Sequence, residues 1–413
     1  MALTINQQPQ EYTPSYNEQT IRVSSDETAQ PGFRFKVHME YLDEATLGYV
    51  RIYTGYFLPR PGTDEAIIDC HRILENYCRQ TLIDKFIERQ YGVQSHIGYD
   101  FQNVNIFIVE EYGNPRVEYG VESVTYDIWN ASLKYQDFVG YDFSDYVTTL
   151  NDPKKWLTNG LSNQYIGLTE QASLSWLYDF QNPTDTQLEV ELKVYEDDGT
   201  LQRTFTIDAP TTSWAGSSAP NMFSLLVGPE DLENTPVLTG TKPIFDASSS
   251  YYTIQMLDDN LDPSLELRTY TLKEYCINPM RLHFLNRLGG MDSFTFGLKH
   301  KKAVNVERME INRQGWLYST AITNLQKEKG FINANINSNE TIQLNCNWLK
   351  DADVVWLEEL ITSPEIFLEM NDRLHSVLIT NYSNYEIKTQ NQDGVFNLSL
   401  DLKFAYSSSS QWA

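Results

Sequence analysis

The sequence predicts a mainly β protein with a minor α component: antiparallel β-sandwich-like domains followed by a small C-terminal helix-and-sheet domain. Three observations predict it. Apolar and polar residues alternate with period two over several separate stretches, the pattern of half-buried strands. Turn signals such as Asp198-Gly199 lie between those stretches. Aromatic residues reach 13%, with 26 Tyr and 19 Phe, residue types that favour strands and also interfaces. A chain of 413 residues is long enough for roughly two to four domains.

The elements follow in order. Residues 1–32 are polar and lack apolar periodicity, and Pro31-Gly32 closes them, which predicts an extended N-terminal arm. A β-rich domain with a short helix is expected over 33–170. Phe33, Phe35, Val37, Met39 and Tyr41 alternate with polar residues as its first strand, and Tyr49–Tyr53 reads as the partner. Ala66–Leu82 shows helical spacing at Ile73, Leu74, Tyr77 and Cys78, with Asp69 as N-cap. Val104–Ile108 and Val121–Trp129 are further strands. A sandwich-like domain is expected over 171–275. Leu188–Val194 turns through Asp198-Gly199 into Leu201–Ile207, Pro210–Ser218 is a loop, and Tyr252–Met256 turns through 258–263 into Leu265–Leu272. The remainder, 276–413, is the α+β domain. It holds a helix over DADVVWLEELIT, stopped by Ser363-Pro364, then strands at Ile366–Leu368, Val377–Thr380, Tyr385–Lys388 and Phe396–Tyr406.

Composition excludes some function classes. Against 31 Lys and Arg stand 56 Asp and Glu, a net charge of −25, so phosphates and anionic membranes are repelled. The four cysteines are scattered without a C-x-x-C pair, which predicts free thiols in a reducing compartment. No signal peptide and no apolar run of membrane-span length is expected.

The sequence proposes no catalytic, cofactor or metal residues. Cys70, His71 and Cys78 are three metal-ligating types in nine residues, but two helical turns would separate Cys70 from Cys78, and buried thiols are the plainer reading. The other histidines have no H-x-x-x-H spacing, and there is no G-x-S-x-G, Walker or dinucleotide fingerprint. Gly289-Gly290 reads as a turn, as does Asp258-Asp259-Asn260. A Ser/His/Asp triad assembles in space, so sequence neither proposes nor removes one.

One stretch departs from the acidic average. From Arg281 to Arg313 seven Lys and Arg face three acids, a net +4 centred on Lys299-His300-Lys301-Lys302. A nucleic-acid patch, a docking surface for an acidic copy of the chain and a solvated loop are all consistent with it. Docking is preferred, because the remaining charge opposes DNA. The candidate docking residues are Arg281, Arg287, Lys299, Lys301, Lys302 and Arg308.

Arg281–Leu298, RLHFLNRLGGMDSFTFGL, resembles a segment of virion structural proteins of tailed phages infecting Bacteroidota, including the crAss-like phages. So do Trp356–Phe367, WLEELITSPEIF, Val377–Lys388, VLITNYSNYEIK, and the closing strand. Asp69–Tyr77, DCHRILENY, is similar to another recurring piece, there preceded by a Gly/Pro turn as at Pro61-Gly62 here. The similar segments keep their order over about a third of the chain, and residues 80–170 have no counterpart. The resemblance implies a non-enzymatic tail, neck or baseplate component, assembled in the host cytoplasm and carried in the virion. The implied partners are copies of itself in a ring and other tail, neck or portal-proximal proteins, with genomic DNA passing nearby during ejection but not recognised. A polar arm suits strand addition to a neighbour, and ring symmetry uses head-to-tail contacts. The alternative expectation is a host-surface or glycan-binding tail-tip protein, with rings such as Trp129, Trp214 or Trp412 stacking on sugars.

Overall fold

A computed structural model describes residues 3–43, 48–78, 81–96, 100–148, 154–178, 188–209, 221–237, 239–258, 260–275, 278–312, 331–346, 349–371, 373–381, 398–406 and 408–409. The fold is mainly β, with a few short helices among several sheets. The chain divides into two compact units. One comprises Met1–Glu274 and Leu285–Ser293, the other Tyr275–Phe284 and Phe294–Ala413.

Among the described residues of the first unit, two hydrophobic cores each lie between two sheets. The first core lies between a three-stranded sheet (Leu3–Gln7, Thr20–Ser25, Glu65–Asp69) and a five-stranded one. The latter runs in the order Tyr12–Pro14, Val117–Trp129, Phe101–Tyr112, Arg34–Asp43, Gly48–Phe57. Phe35, Val37 and Met39 point inward beside Val104, Ile106 and Ile108, and meet Ile21, Val23, Ala66 and Ile68 from the smaller sheet. Complete burial of a side chain of this size contributes about 1.5–3 kcal/mol, so alternation alone fixes which face turns inward.

Two expectations are corrected here. The described residues 3–32 do not form an extended arm. Thr20–Ser25 lies between Leu3–Gln7 and Glu65–Asp69, and Tyr12–Pro14 pairs in parallel with Asp127–Trp129. Ile21 and Val23 are buried in this core, Leu3 and Ile5 pack against it, and Tyr12 is buried as well, so spaced apolar residues hold these strands within a mostly polar stretch. Ala66–Leu82 is not one helix either. Glu65–Asp69 is a strand, followed by short helices at His71–Leu74 and Thr81–Ile87. Ala66 and Ile68 are buried with period two, and the ladder to Thr20–Ser25 overrides the local helical spacing.

The second core lies between a four-stranded sheet, ordered Val147–Thr148, Ser173–Tyr178, Asn221–Leu226, Val93–Ser95, and a five-stranded one. The latter is ordered Asn163–Ile166, Arg268–Leu272, Tyr251–Leu257, Leu188–Tyr195, Leu201–Ala209. Val190, Leu192 and Val194 face Trp156, Trp176 and Phe223. The two indoles meet edge to face at 5.6 Å. A boundary at 171 therefore does not separate two domains: Val93–Ser95, Val147–Thr148, Trp156 and Asn163–Ile166 all belong to this sandwich. Those strands of two to four residues are too short to show a period.

Leu285–Ser293 is stitched into the first unit. The Trp129 indole Nε1 donates to Leu288 O at 2.9 Å, and Asn286 Nδ2 donates to Leu157 O at 2.8 Å. Thr158 Oγ1 donates to Asp292 Oδ2 at 2.9 Å. Gly289 turns this segment with φ +90°, and a Cβ there would lie 2.5 Å from Asn130 O.

Among the described residues the second unit carries an eight-stranded sheet and one helix. The strand order is Met291–Phe296, Met280–Leu285, Ile366–Met370, Arg373–Ile379, Ser399–Phe404, Phe331–Asn345, Lys301–Asn312, with Ser408–Ser409 also on Phe331–Asn345. The helix spans Asp351–Thr362. Lys350 N donates to Asp353 Oδ2 at 3.0 Å, so the first turn closes on a carboxylate. Trp356, Leu357 and Leu360 are buried with Leu282, Phe284, Ile342, Leu344, Leu400, Leu402 and Phe404. The expected strand at Tyr385–Lys388 and the start of the closing strand at Phe396 lie outside the described residues, as does the loop Pro210–Ser218.

Candidate functional site

The six candidate docking residues do not form one patch. Arg281 is buried in its strand and donates to Thr295 Oγ1 at 2.7 Å. Arg287 is half-buried in the first unit, where its carbonyl accepts from Ser132 N. Arg281 is not available for docking, because its strand is buried on both faces, whereas Arg287 keeps partial exposure at the 286–290 turn. Lys299, Lys301, Lys302 and Arg308 are exposed. Three of these four lie on Lys301–Asn312, the outermost strand of the eight-stranded sheet, and Lys299 just precedes it. Lys302 Nζ lies 2.5 Å from Glu340 Oε2 and 5.7 Å from the centroid of Phe404.

This strand and its partner Phe331–Asn345 form the longest hairpin arms of the second unit, paired from Lys301↔Gln343 to Asn312↔Phe331 with one bulge at Met309/Glu310. Lys302 and Val304 share a face with Ile342, a core residue. The burial ends there. Val304 is 55% exposed, Met309 62% and Phe331 66%, with Val306 and Ile311 also exposed. A run of uncovered apolar side chains on an edge strand is a pairing surface.

Other chemistry-bearing groups lie in the first unit. His96 Nε2 is 2.7 Å from Ser224 Oγ, and His96 Nδ1 is 3.3 Å from Asp100 Oδ2. These are the mutual contacts of a Ser-His-Asp triad, and sequence spacing gave no sign of them. Ser224 lies mid-strand with Ser175 on one side and Gln94 on the other; Ser224 and Ser175 are buried, and Gln94 is half-buried. Asp100 Oδ2 also accepts from Leu82 N at 2.8 Å, and His96 N donates to Met222 O. The cluster ties helix Thr81–Ile87 to the sheet. Attack by Ser224 would require a substrate carbonyl where strand neighbours already stand.

Cys70 and Cys78 are both buried. Burial pushes the Cys78 thiol up to about 12 and raises that of Cys70 as well, which disfavours the thiolate a metal requires. Among the described residues no three His, Cys, Asp or Glu side chains converge as a ligand set. Asp258 Oδ1 accepts from Asn260 N and Asp262 N, an Asx-type turn.

Trp129 is fully buried against Phe143, so it presents no face to a sugar. Trp214 and Trp412 lie outside the described residues. The five-stranded sheet of the second sandwich instead carries a ring row on its outer side. Its registers place Tyr165, Thr271, Tyr251, Tyr195 and Leu201 side by side across all five strands. The Tyr195 and Tyr251 rings stack at 4.8 Å with an interplanar angle of 7°. Tyr165 is 60% exposed, with Lys273 Nζ 4.8 Å from its centroid, and Thr271 Oγ1 donates to Asn163 Oδ1.

No family model matches the chain, and no curated protein matches it. Among solved structures it is similar to one described as CBD12 from CALX1.2, at 8% identity and a TM-score of 0.19, covering 63% of this chain and 96% of that one. It is also similar to trypsin-activated alpha-2-macroglobulin from Escherichia coli, at 8% identity and a TM-score of 0.19, covering 96% of this chain and 21% of that one. Neither likeness carries an argument about fold or activity. Among the described residues no helix is long and apolar enough to cross a membrane.

Proposed function

We propose that the chain is a non-enzymatic structural subunit of a tailed-phage virion, forming a ring in the tail or neck through contacts between copies. The observation that carries the reading is the hairpin Lys301–Asn312/Phe331–Asn345, whose apolar side chains and outer edge have no cover within the described residues. A monomer gains nothing from leaving Val304, Val306, Met309 and Phe331 in water, whereas an assembly recovers that surface. The phage resemblance of 281–298 and 356–367 supports the same reading, because both segments build the sheet and helix from which this hairpin extends. Assembly takes place in the host cytoplasm beside other tail, neck or portal-proximal proteins, with no membrane. DNA passes the ring without being recognised, consistent with a chain of net charge −25. The test is mass spectrometry and antibody labelling of purified virions. Labelling at one level of the tail or neck is expected, and absence from particles overturns the proposal.

The ring row Tyr165/Tyr251/Tyr195 favours a second reading, a glycan-binding protein of the tail tip or baseplate. Stacked aromatic faces beside threonine hydroxyls suit pyranose rings.

A further inference from the structure

The charge of the chain is divided very unequally between its units. The first unit holds 19 Lys and Arg against 42 Asp and Glu, a net −23, and the second holds 12 against 14, a net −2. The exposed hairpin thus belongs to the nearly neutral unit. Its outer strand, with Lys299 just before it, carries Lys299, Lys301, Lys302 and Arg308 against Glu307 and Glu310.

The first unit has an open edge of opposite character. Val117–Trp129 is paired along one side with Phe101–Tyr112, while on the other side Tyr12–Pro14 covers only Asp127–Trp129. Among the described residues no strand is hydrogen-bonded to residues 117–125 on that side, although Leu3 of Leu3–Gln7 approaches Gly120. Val117, Tyr119 and Val121 are exposed on this stretch, which also carries Glu118 and Glu122. Glu118 meets Lys36 at 2.6 Å and stays half exposed.

We infer that strand Lys301–Asn312 of one copy pairs with the edge at 117–125 of a second copy. This rests on the ring reading and names the contact that builds the ring. Both edges offer unpaired backbone groups and apolar side chains, which main-chain pairing uses together. Their charges choose the partner. Two copies of the acidic edge aligned about Gly120 set Glu118 and Glu122 against each other, whereas the hairpin edge is net positive, with Lys301, Lys302 and Arg308 against Glu307 and Glu310. The unlike pair brings opposite charges together. A contact between two different surfaces is head-to-tail, the kind that closes into a ring.

The experiment is sedimentation velocity on the full chain at low and high salt, with circular dichroism to verify folding. Wild-type chain assembles, and weakens as salt screens the charges. K301E/R308E and E118K/E122K each weaken association by at least about tenfold, and all four substitutions in one chain restore it. A wild-type chain that stays monomeric overturns the ring reading and this pairing with it. A wild-type chain that assembles while K301E/R308E assembles equally overturns the pairing alone. Folded two-site variants that both lose assembly, with no recovery in the four-site variant, also overturn the pairing.

Discussion

His96 Nε2 and Ser224 Oγ meet at 2.7 Å where the edge strand Val93–Ser95 ends, and burial lowers the pKa of the imidazole below its ordinary value despite the neighbouring Asp100. The unfolded chain takes a proton at this histidine near pH ~6.5, whereas the folded chain resists it. Stability from this site is therefore complete above about pH 6.5 and is lost as pH falls toward the lowered folded value. His38, beside Thr54, is shifted the same way by burial and then by Arg51 and Lys36, and adds to the effect. Denaturant midpoints should fall from pH 7.5 to pH 5.5, and His96→Gln should flatten that fall. An unchanged slope would show that His96 does not titrate with unfolding. Ser224→Ala should cost about 1–3 kcal/mol by removing the partner of a buried nitrogen.

Two glycines with positive φ separate backbone strain from packing. Gly140 has φ +79° and nothing within 4 Å of an added Cβ, while Gly289 has φ +90° and Asn130 O at 2.5 Å. Gly140→Ala should cost about 1–2 kcal/mol, the penalty of a left-handed conformation. Gly289→Ala should cost clearly more, since a backbone carbonyl cannot swing away. Equal melting temperatures for the two variants would contradict the close approach.

Trp356 is buried on the helix, its ring 6.1 Å from the centroids of both Phe284 and Phe294. Trp356→Ala should destabilise the second unit by about 3–5 kcal/mol. Hydrogen exchange should show faster opening of Met280–Leu285 and Ile366–Met370, with the second sandwich of the first unit unaffected. Uniform loss of protection across both units would refute a local role.

The ring row makes the glycan reading separable from assembly. Tyr165→Ala and Tyr251→Ala should abolish binding to host-surface polysaccharide on a glycan array while leaving sedimentation unchanged. A wild-type chain that binds no glycan removes the second reading.

Much of the fold was legible because burial enforces period. Leu188–Tyr195 and Leu201–Ala209 alternate cleanly around Asp198-Gly199, and they form the expected antiparallel hairpin. The strands missed at Val93–Ser95 and Val147–Thr148 are too short to carry a period, and their neighbours come from distant sequence. Ala66–Asp69 misled because Ile67 and Ile68 fit a helix and a strand equally, and only the presence of Thr20–Ser25 decides. The basic stretch was visible as composition, but composition cannot tell Arg281, which points inward, from Lys301, which points out. His96, Asp100 and Ser224 gave no signal, because strand pairing rather than spacing brings Ser224 to the other two.

The segment 285–293 gives the chain an indivisible gene. It belongs to the first unit while both its flanks belong to the second. A fragment stopped at Glu274 would keep the Trp129 indole but lose its acceptor, Leu288 O, and would strip the cover from Leu157 O and Thr158. Each orphaned buried group costs about 1–3 kcal/mol. The C-terminal unit thus cannot be shuffled between proteins as a cassette by one recombination crossover. It travels with its N-terminal companion or arrives with a defective one.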